Sequence, residues 1–147
     1  MIQTKEQILN VAKELDDAIE TRDVERILPF FAEDCSIELF ELTLHGHEGA
    51  RKWLEWMFQH LTEISFDPII IMVDDNVFFE EFIVQGKLHD GRTVQSKQAE
   101  VLVYENLLVN SLRLYFDRLD FVEALSSSWI NRKIIQKIIK ESVKGLE

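Results

Sequence analysis

Glu81 and Glu100 are the two residues whose type and spacing are best suited to acid–base chemistry. They lie in consecutive apolar segments, 77–86 and 93–104, whose composition is typical of strands. Asp90-Gly91 joins these segments and indicates a two-residue type I′ hairpin turn. That turn would place Glu81 directly opposite Glu100, with Cβ atoms about 4.5–5.5 Å apart.

Two carboxyl groups at that distance in an apolar cavity would not both be charged. Like charge and desolvation both raise a carboxyl pKa, so one of the two acids would hold a proton at neutral pH. Such a pair can donate and accept protons, as acid–base catalysis on a carbonyl or enol requires. One extra residue in the hairpin would instead turn Glu81 to the opposite face and leave Glu80 inside. Both registers stay open, as does the choice between catalysis and passive ligand contact.

The elements that must position these acids are N-terminal helices followed by strands. Thr4 and Gln7 form a capping-box pattern before apolar residues at helical spacing, which predicts a helix ending near Arg22. A short helix after Asp23 and a third helix over 50–62 are also predicted, and the strands are expected from Cys35 and over 65–73, 77–86, 93–104 and 107–116. This order predicts an α+β domain with helices against one face of a curved antiparallel sheet.

Composition and charge narrow the class of protein. The 147 residues suit one domain, and a net charge of -11 argues against nucleic acid or anionic membrane as a partner. The longest apolar runs are far shorter than the roughly 20 residues that span a bilayer. The single cysteine, Cys35, makes no internal disulfide, and the charged N-terminus does not resemble a signal peptide. A cytoplasmic location is therefore expected.

The C-terminal segment differs from the rest of the chain. Residues 126–147 carry five basic and two acidic residues, while residues 1–125 are strongly acidic. The apolar spacing over 129–143 predicts an amphipathic helix, and Ser126-Ser127-Ser128 resembles a linker. We therefore divide the chain into a domain at 1–125 and a basic amphipathic helix at 126–147. Charge complementarity predicts that this helix packs on its own subunit or on a dimer mate.

The segment 77–86 has apolar residues on both of its faces. A sheet covered by helices on one side only should have a polar outer face. A second subunit or the C-terminal helix is therefore expected to cover the outer face. We predict a homodimer.

Three sequence motifs carry a resemblance to a known superfamily. The segments FFAEDCSIELF, HEGARKWLEWM and LRLYFDRLDF, in this order and spacing, resemble the nuclear-transport-factor-2-like (NTF2-like) superfamily. The SnoaL-like and ketosteroid-isomerase-like proteins are the most similar members, and the resemblance covers about residues 4–125. It implies an NTF2-like cone, with three N-terminal helices packed on a curved sheet around a cavity and an added C-terminal helix.

The resemblance also implies which functions are lost. Leu39 stands where steroid isomerases have their carboxylate base, and Leu15 stands where they have a tyrosine. Glu100 occupies the position of a second acid in those isomerases and of an aspartate in limonene-epoxide hydrolases. Gln98 and Leu114 replace the other polar groups of the epoxide hydrolases. Steroid isomerisation and epoxide hydrolysis by those mechanisms are therefore not expected.

The resemblance and strand parity together predict a mostly apolar cavity wall. Its predicted members are Leu15, Ile19, Leu39, Trp53, Leu112, Leu114 and Phe116, with polar groups only at Gln98, Glu81 and Glu100. Such a cavity suits a small hydrophobic ligand, a carbonyl or polyketide-like compound. The predicted function is an enzyme or binder of such a compound. The alternative is a non-catalytic module for dimerisation and protein interaction.

No metal or cofactor site is predicted. His45 and His47 are interpreted as part of an exposed loop, because no further ligands recur at a metal-site spacing. The sequence also has no glycine-rich phosphate loop.

Overall fold

The computed structural model describes residues 2–126 and 128–146. In these residues the elements, in chain order, are α1 (Lys5–Glu20), α2 (Val24–Ile27), a 3-10 turn (Leu28–Phe30), β1 (Phe31–Leu39), β2 (Leu42–His45), α3 (Gly46–His60), β3 (Glu63–Asp74), β4 (Val77–Lys87), β5 (Thr93–Glu105), β6 (Leu108–Tyr115), α4 (Leu119–Leu125) and α5 (Trp129–Ser142). Helices packed on one six-stranded sheet confirm the predicted α+β class.

The sheet has the strand order β2-β1-β6-β5-β4-β3. β1 and β6 run parallel, and the other neighbouring strands run antiparallel. The sheet is therefore mixed, whereas the sequence predicted a purely antiparallel one. The long excursion from β1 through α3 to β6 lets the two strands meet in the same direction, which a short hairpin does not allow.

In the N-terminal half, the predicted capping box is confirmed and the predicted loop at His45 is not. The capping box at Thr4 is present, because Thr4 accepts from the Gln7 amide and Gln7 accepts from the Thr4 amide. The loop predicted at His45 is wrong, since β1 and β2 form a hairpin in which Ser36 pairs with His45. α3 then begins at Gly46, earlier than the predicted residue 50.

The hairpin between β4 and β5 decides which acid faces the interior. The Leu88 amide donates to the Arg92 carbonyl at 2.8 Å, and the Gly91 amide donates to the Leu88 carbonyl at 3.0 Å. Gly91 has a φ of 85°, in the left-handed region. The connection is thus the three-residue type, a tight turn followed by a left-handed glycine, rather than the two-residue turn that Asp90-Gly91 suggested.

This loop length corrects the predicted pairing of the two acids. Glu100 pairs with Glu80, and Glu81 pairs with Ala99, so the prediction that Glu81 lies opposite Glu100 is wrong. Glu80 is only 2% exposed, while Glu81 lies on the other face of β4 and is half-buried. A shift of one residue exchanges the two faces of a strand, as the alternative register anticipated.

The C-terminal region contains two helices where the sequence predicted one. α5 matches the predicted amphipathic helix, whereas α4 was not predicted. α5 packs against α4, and Ile130, Ile134 and Ile138 on α5 are each about half exposed. The linker assigned to Ser126-Ser127-Ser128 includes Ser127, which lies outside the described residues. The division at residue 125 stays a prediction.

Among the helices described, none has the length and apolar character needed to cross a membrane.

Candidate functional site

A cavity of about 280 Å³ lies between the helices and the sheet. Its volume is close to the lower end of the range of small-molecule sites, roughly 300–1,000 Å³. Its wall is mostly apolar, and the aromatic members are Phe40, Trp53, Trp56, Phe66, Phe82, Phe116 and Phe121. The cavity is therefore suited to a small compound with a large apolar part.

Six of the residues predicted from sequence line this cavity: Ile19, Trp53, Gln98, Glu100, Leu114 and Phe116. Leu15, Leu39 and Leu112 are instead 3%, 5% and 1% exposed and pack in the core. Strand parity correctly put Leu112 and Leu114 on one face, but the cavity occupies only part of that face. Leu114 pairs with Glu100 beside the cavity, whereas Leu112 pairs with Leu102 in the core.

Three carboxyl groups meet at the cavity wall. Asp16 on α1, Glu80 on β4 and Glu100 on β5 each place an oxygen within 4.8 Å of the others. We call these three residues the acid cluster. Asp16 and Glu100 line the cavity, and Glu80 lies behind them in the sheet.

Asp16 was not predicted as a site residue, although the sequence contains a signal for it. Asp16 follows Ala12 by four residues and precedes Ile19 by three, and both of those residues are buried. This spacing puts Asp16 on the buried face of α1. An acid on the apolar face of an amphipathic helix is a sequence feature that marks a candidate site.

Burial and mutual repulsion raise the pKa values of the acid cluster. Burial, together with the charges of Glu80 and Glu20, raises the pKa of Asp16 to about 8. Burial also raises the pKa of Glu100 well above its usual range, as do the charges of Asp16 and Glu80. Asp16 and Glu100 therefore hold protons at neutral pH.

Glu80 and Glu100 pair directly across β4 and β5, and their carboxyl oxygens lie within 4.8 Å of each other. Burial raises the pKa of Glu80, and the interaction with Glu100 opposes that rise. Burial also raises the pKa of Glu100, and the interaction with Glu80 adds to that rise. The structure thus places a second carboxyl group opposite Glu100, although this partner is Glu80 and not Glu81.

Two buried polar atoms near the cluster have no hydrogen-bond partner in the described structure. They are Oε1 of Glu80 and the hydroxyl oxygen of Tyr104. Burial raises the pKa of Tyr104, and the charges of Glu100 and Asp16 add to this effect, so its hydroxyl stays neutral. Unsatisfied buried polar atoms are unfavourable, and they are the atoms that a polar ligand group would satisfy.

A second set of hydrogen bonds joins the cavity wall to α4. Nε2 of Gln98 donates to Oγ of Ser96 at 3.2 Å, and that hydroxyl donates to Oδ2 of Asp120 at 2.5 Å. Asp120 therefore fixes α4 to β5, and α4 contributes Phe121 and Val122 to the wall. The helix that the sequence did not predict is thus part of the cavity.

The basic side chain that lines the cavity, Arg118, is already paired. Its guanidinium donates to Glu41, lowering the pKa of that carboxyl, and lies over the ring of Phe40 at 4.4 Å. The positive charge of Arg118 is therefore paired with the carboxylate of Glu41. Among the acidic, histidine and cysteine side chains that the structure describes, those of the acid cluster meet closely enough to hold a cation. The expectation that the protein uses no metal or cofactor stays a prediction.

Comparison with solved structures defines the class of protein. An NTF2-like protein of unknown function from Burkholderia pseudomallei has a TM-score of 0.74 at 17% identity, over 82% of this chain and 98% of that one. The epoxide hydrolase/cyclase-like enzyme SalBIII, which has a role in pyran ring formation in salinomycin, has a TM-score of 0.72 at 15% identity, over 81% of this chain and 97% of that one. A hypothetical protein with a ketosteroid isomerase-like fold from Catenulispora acidiphila, in complex with trimethylamine, has a TM-score of 0.69 at 12% identity, over 76% of this chain and 88% of that one. The chain therefore has the NTF2-like fold.

The family follows from the sequence itself. The family model for the SnoaL-like domain matches residues 12–109, which is well over half of the chain. The protein belongs to the SnoaL-like family. A comparison with curated proteins found no match.

Proposed function

We propose that this SnoaL-like protein is an enzyme that performs acid–base chemistry on a small hydrophobic carbonyl or polyketide-like compound. The observation that carries the proposal is the cluster of Asp16, Glu80 and Glu100, two of whose members line an apolar cavity. A carboxyl group that stays protonated at neutral pH is suited to donate a proton to a substrate oxygen.

Glu100 is the proposed proton donor, because it lines the cavity and its pKa is raised. As the bond from the Glu100 proton to its oxygen breaks, the proton forms a bond with the carbonyl oxygen of the substrate. Glu80 is the proposed positioning residue, because it lies directly opposite Glu100 in the sheet. Asp16 is the third acid on the wall. Its pKa of about 8 leaves a minor fraction ionised at neutral pH, and that form can accept a proton from substrate carbon.

The comparison with SalBIII shows that an enzyme can have this fold. That protein is described as an epoxide hydrolase/cyclase-like enzyme with a role in pyran ring formation. At 15% identity the likeness shows the shared fold alone, so the chemistry proposed here depends on the acid cluster of this chain.

Replacing Glu100 is expected to lower the acid–base activity by about 10²–10⁴-fold, the usual contribution of a general acid or base. The measurement is NMR detection of deuterium incorporation next to the carbonyl of a cyclohexanone-sized ketone in D₂O. Wild type, Glu100→Gln and Glu81→Gln are compared. Glu81→Gln is the matched control, because Glu81 is one residue from Glu80 in β4 but on the opposite face. An exchange rate for wild type equal to that of Glu100→Gln would contradict the proposal.

A second candidate, a module for dimerisation and protein interaction, is favoured by exposed apolar residues. On β3, Ile70 and Met72 are 48% and 57% exposed. On α5, Ile134 and Ile138 are each 53% exposed. Apolar surfaces of this kind are typical of interfaces, which agrees with the predicted homodimer.

Deleting residues 126–147 is expected to dissociate the proposed homodimer or lower the melting temperature, because it removes the exposed apolar face of α5. Sedimentation velocity at micromolar concentration gives the mass, and circular dichroism gives the melting temperature. Full-length protein that sediments as a monomer would contradict the homodimer. An unchanged mass and melting temperature after the deletion would contradict a role for α5.

A further inference from the structure

We infer that the ligand of the cavity carries a protonated amine, with its nitrogen among the three carboxyl groups of the acid cluster and its apolar part against the aromatic wall. This inference rests on the proposed function, because it names the substrate class of the same cavity. The resulting substrate class is a small hydrophobic compound that bears an ammonium group.

The geometry of the acid cluster matches an ammonium nitrogen. Three oxygens no more than 4.8 Å apart have a common point within about 2.8 Å of each. That distance is typical of a charge-assisted N–H to carboxylate hydrogen bond. A primary ammonium has three N–H donors, so it can donate to Asp16, Glu80 and Glu100 together.

The charge around the cluster favours a cationic ligand. On α1, Glu20 and Asp17 add negative charge next to Asp16. Lys13 is the basic group that acts on Asp16, and it makes its ion pair with Asp17 at 3.0 Å. Arg118 at the cavity wall is paired with Glu41. Lys13 and Arg118 thus lie in ion pairs with other acids, and a ligand cation would balance the charge of the cluster.

An independent observation is the unpartnered oxygen of Glu80. Oε1 of Glu80 is buried without a hydrogen-bond partner, in a residue that is 2% exposed. A donor brought by the ligand would satisfy the free oxygen, which is the arrangement that buried carboxylates require.

The wall of the cavity favours an organic cation over a metal ion. Trp53, Trp56 and Phe82 contribute ring surface to it, and aromatic rings attract alkylammonium groups. A divalent cation such as Mg²⁺ keeps several water molecules and prefers oxygen ligands throughout its shell. The mostly apolar wall offers few further oxygens, since Gln98 is the other polar group on β5 that lines it.

The test compares benzylamine with benzyl alcohol, which have similar shape and differ in charge at pH 7. By titration calorimetry, benzylamine is expected to bind at least tenfold more tightly than the alcohol. Asp16→Asn and Glu100→Gln are each expected to weaken benzylamine binding at least tenfold and to change alcohol binding less than twofold. Glu81→Gln, the control on the outer face, is expected to leave both affinities unchanged. Circular dichroism confirms that each variant is folded.

Proton release gives a second readout. An ammonium ion next to Asp16 favours the charged form of that carboxyl, so binding should expel a proton into the buffer. The observed enthalpy at pH 7 is then expected to vary with the ionisation enthalpy of the buffer for benzylamine but not for benzyl alcohol.

Each other outcome overturns the inference. Equal or tighter binding of the alcohol would show a neutral ligand, and would leave the proposed acid–base function standing if deuterium exchange still depends on Glu100. A rise in melting temperature with Mg²⁺, Mn²⁺ or Ca²⁺ that depends on Asp16 and Glu100, without benzylamine binding, would replace the amine with a metal ion. Binding of neither probe would also reject the inference, and the exchange assay would then judge the function separately.

Discussion

Between about pH 5 and pH 8, the free energy of unfolding of the wild-type protein is expected to fall as Asp16 loses its proton. Asp16→Asn is expected to remove about 2–4 kcal/mol of that fall. Burial and the charges of neighbouring acids together raise the pKa of Asp16 to about 8, from an ordinary value near 3.8. One pH unit in which the folded chain holds one extra proton changes the free energy of unfolding by about 1.4 kcal/mol. The expected change in free energy is smaller than the whole pKa shift would give, because Asp16 is only partly buried at the cavity wall.

The sign follows from where the proton is held. A carboxyl whose pKa is raised in the folded state binds its proton more tightly there than in the unfolded chain. Its contribution to stability is complete below about pH 4 and is lost as the pH rises through about 8. Asparagine does not titrate, so the variant should show a flatter pH profile and be the more stable protein at pH 8.

Chemical denaturation at pH 5, 6.5 and 8 measures this difference, with Asp17→Asn as the matched control. Asp17 is the next residue on α1, is exposed and pairs with Lys13 on the surface. Replacing an exposed residue of a surface ion pair changes stability by less than about 1 kcal/mol. A wild-type profile as flat as that of Asp16→Asn would show that Asp16 is not held in an unfavourable environment.

Leu112→Ala is expected to cost about 2–5 kcal/mol of folding stability, whereas Leu114→Ala should cost less, about 1–2 kcal/mol. The two leucines lie on the same face of β6, two residues apart. Leu112 is 1% exposed in the core, so its truncation leaves a cavity with unfilled contacts. Leu114 already borders the cavity, so its truncation removes fewer contacts and enlarges an existing space.

The pair of variants also separates core residues from ligand contacts. Leu114→Ala is expected to change the affinity of cavity ligands, and Leu112→Ala is expected to leave it within about twofold, measured where both variants are folded. Urea unfolding gives the stabilities, and calorimetry with benzylamine and benzyl alcohol gives the affinities. Equal stability costs for the two variants would show that the cavity does not reach Leu114.

The stability prediction and the functional proposal have the same physical origin. Three carboxyl groups placed together at the cavity wall raise the pKa values of Asp16 and Glu100, and this opposes folding as the pH rises. The same raised pKa values make a protonated carboxyl available at neutral pH. Sites that are unfavourable for stability and useful for chemistry are common in enzymes.

Much of the fold could be predicted from the sequence because it depends on local periodicity. The capping box and apolar spacing predicted α1 within a few residues, and the apolar runs predicted β3 to β6. α4 could not be predicted in this way, because this short helix packs against β5 and α5 and is held at Asp120 by a hydrogen bond from Ser96. Tertiary contacts, rather than a local repeat, place it at the cavity.

The candidate site was predictable only in part. Glu100 was identified from the sequence, and five other predicted residues line the cavity with it. The error in the partner of Glu100 came from a single residue in the length of the loop before β5. Asp-Gly is compatible with both a two-residue and a three-residue hairpin, and the sequence alone did not choose between them.

The sequence by itself determined most of the helices and strands, the SnoaL-like family and the presence of an acid at position 100. The tertiary structure decided that Glu100 meets Glu80 and Asp16. The physical reason is that periodicity fixes only which face of an element each side chain occupies. Register and packing between α1, β4 and β5 set which carboxyl groups come within 4.8 Å, and that distance determines their protonation.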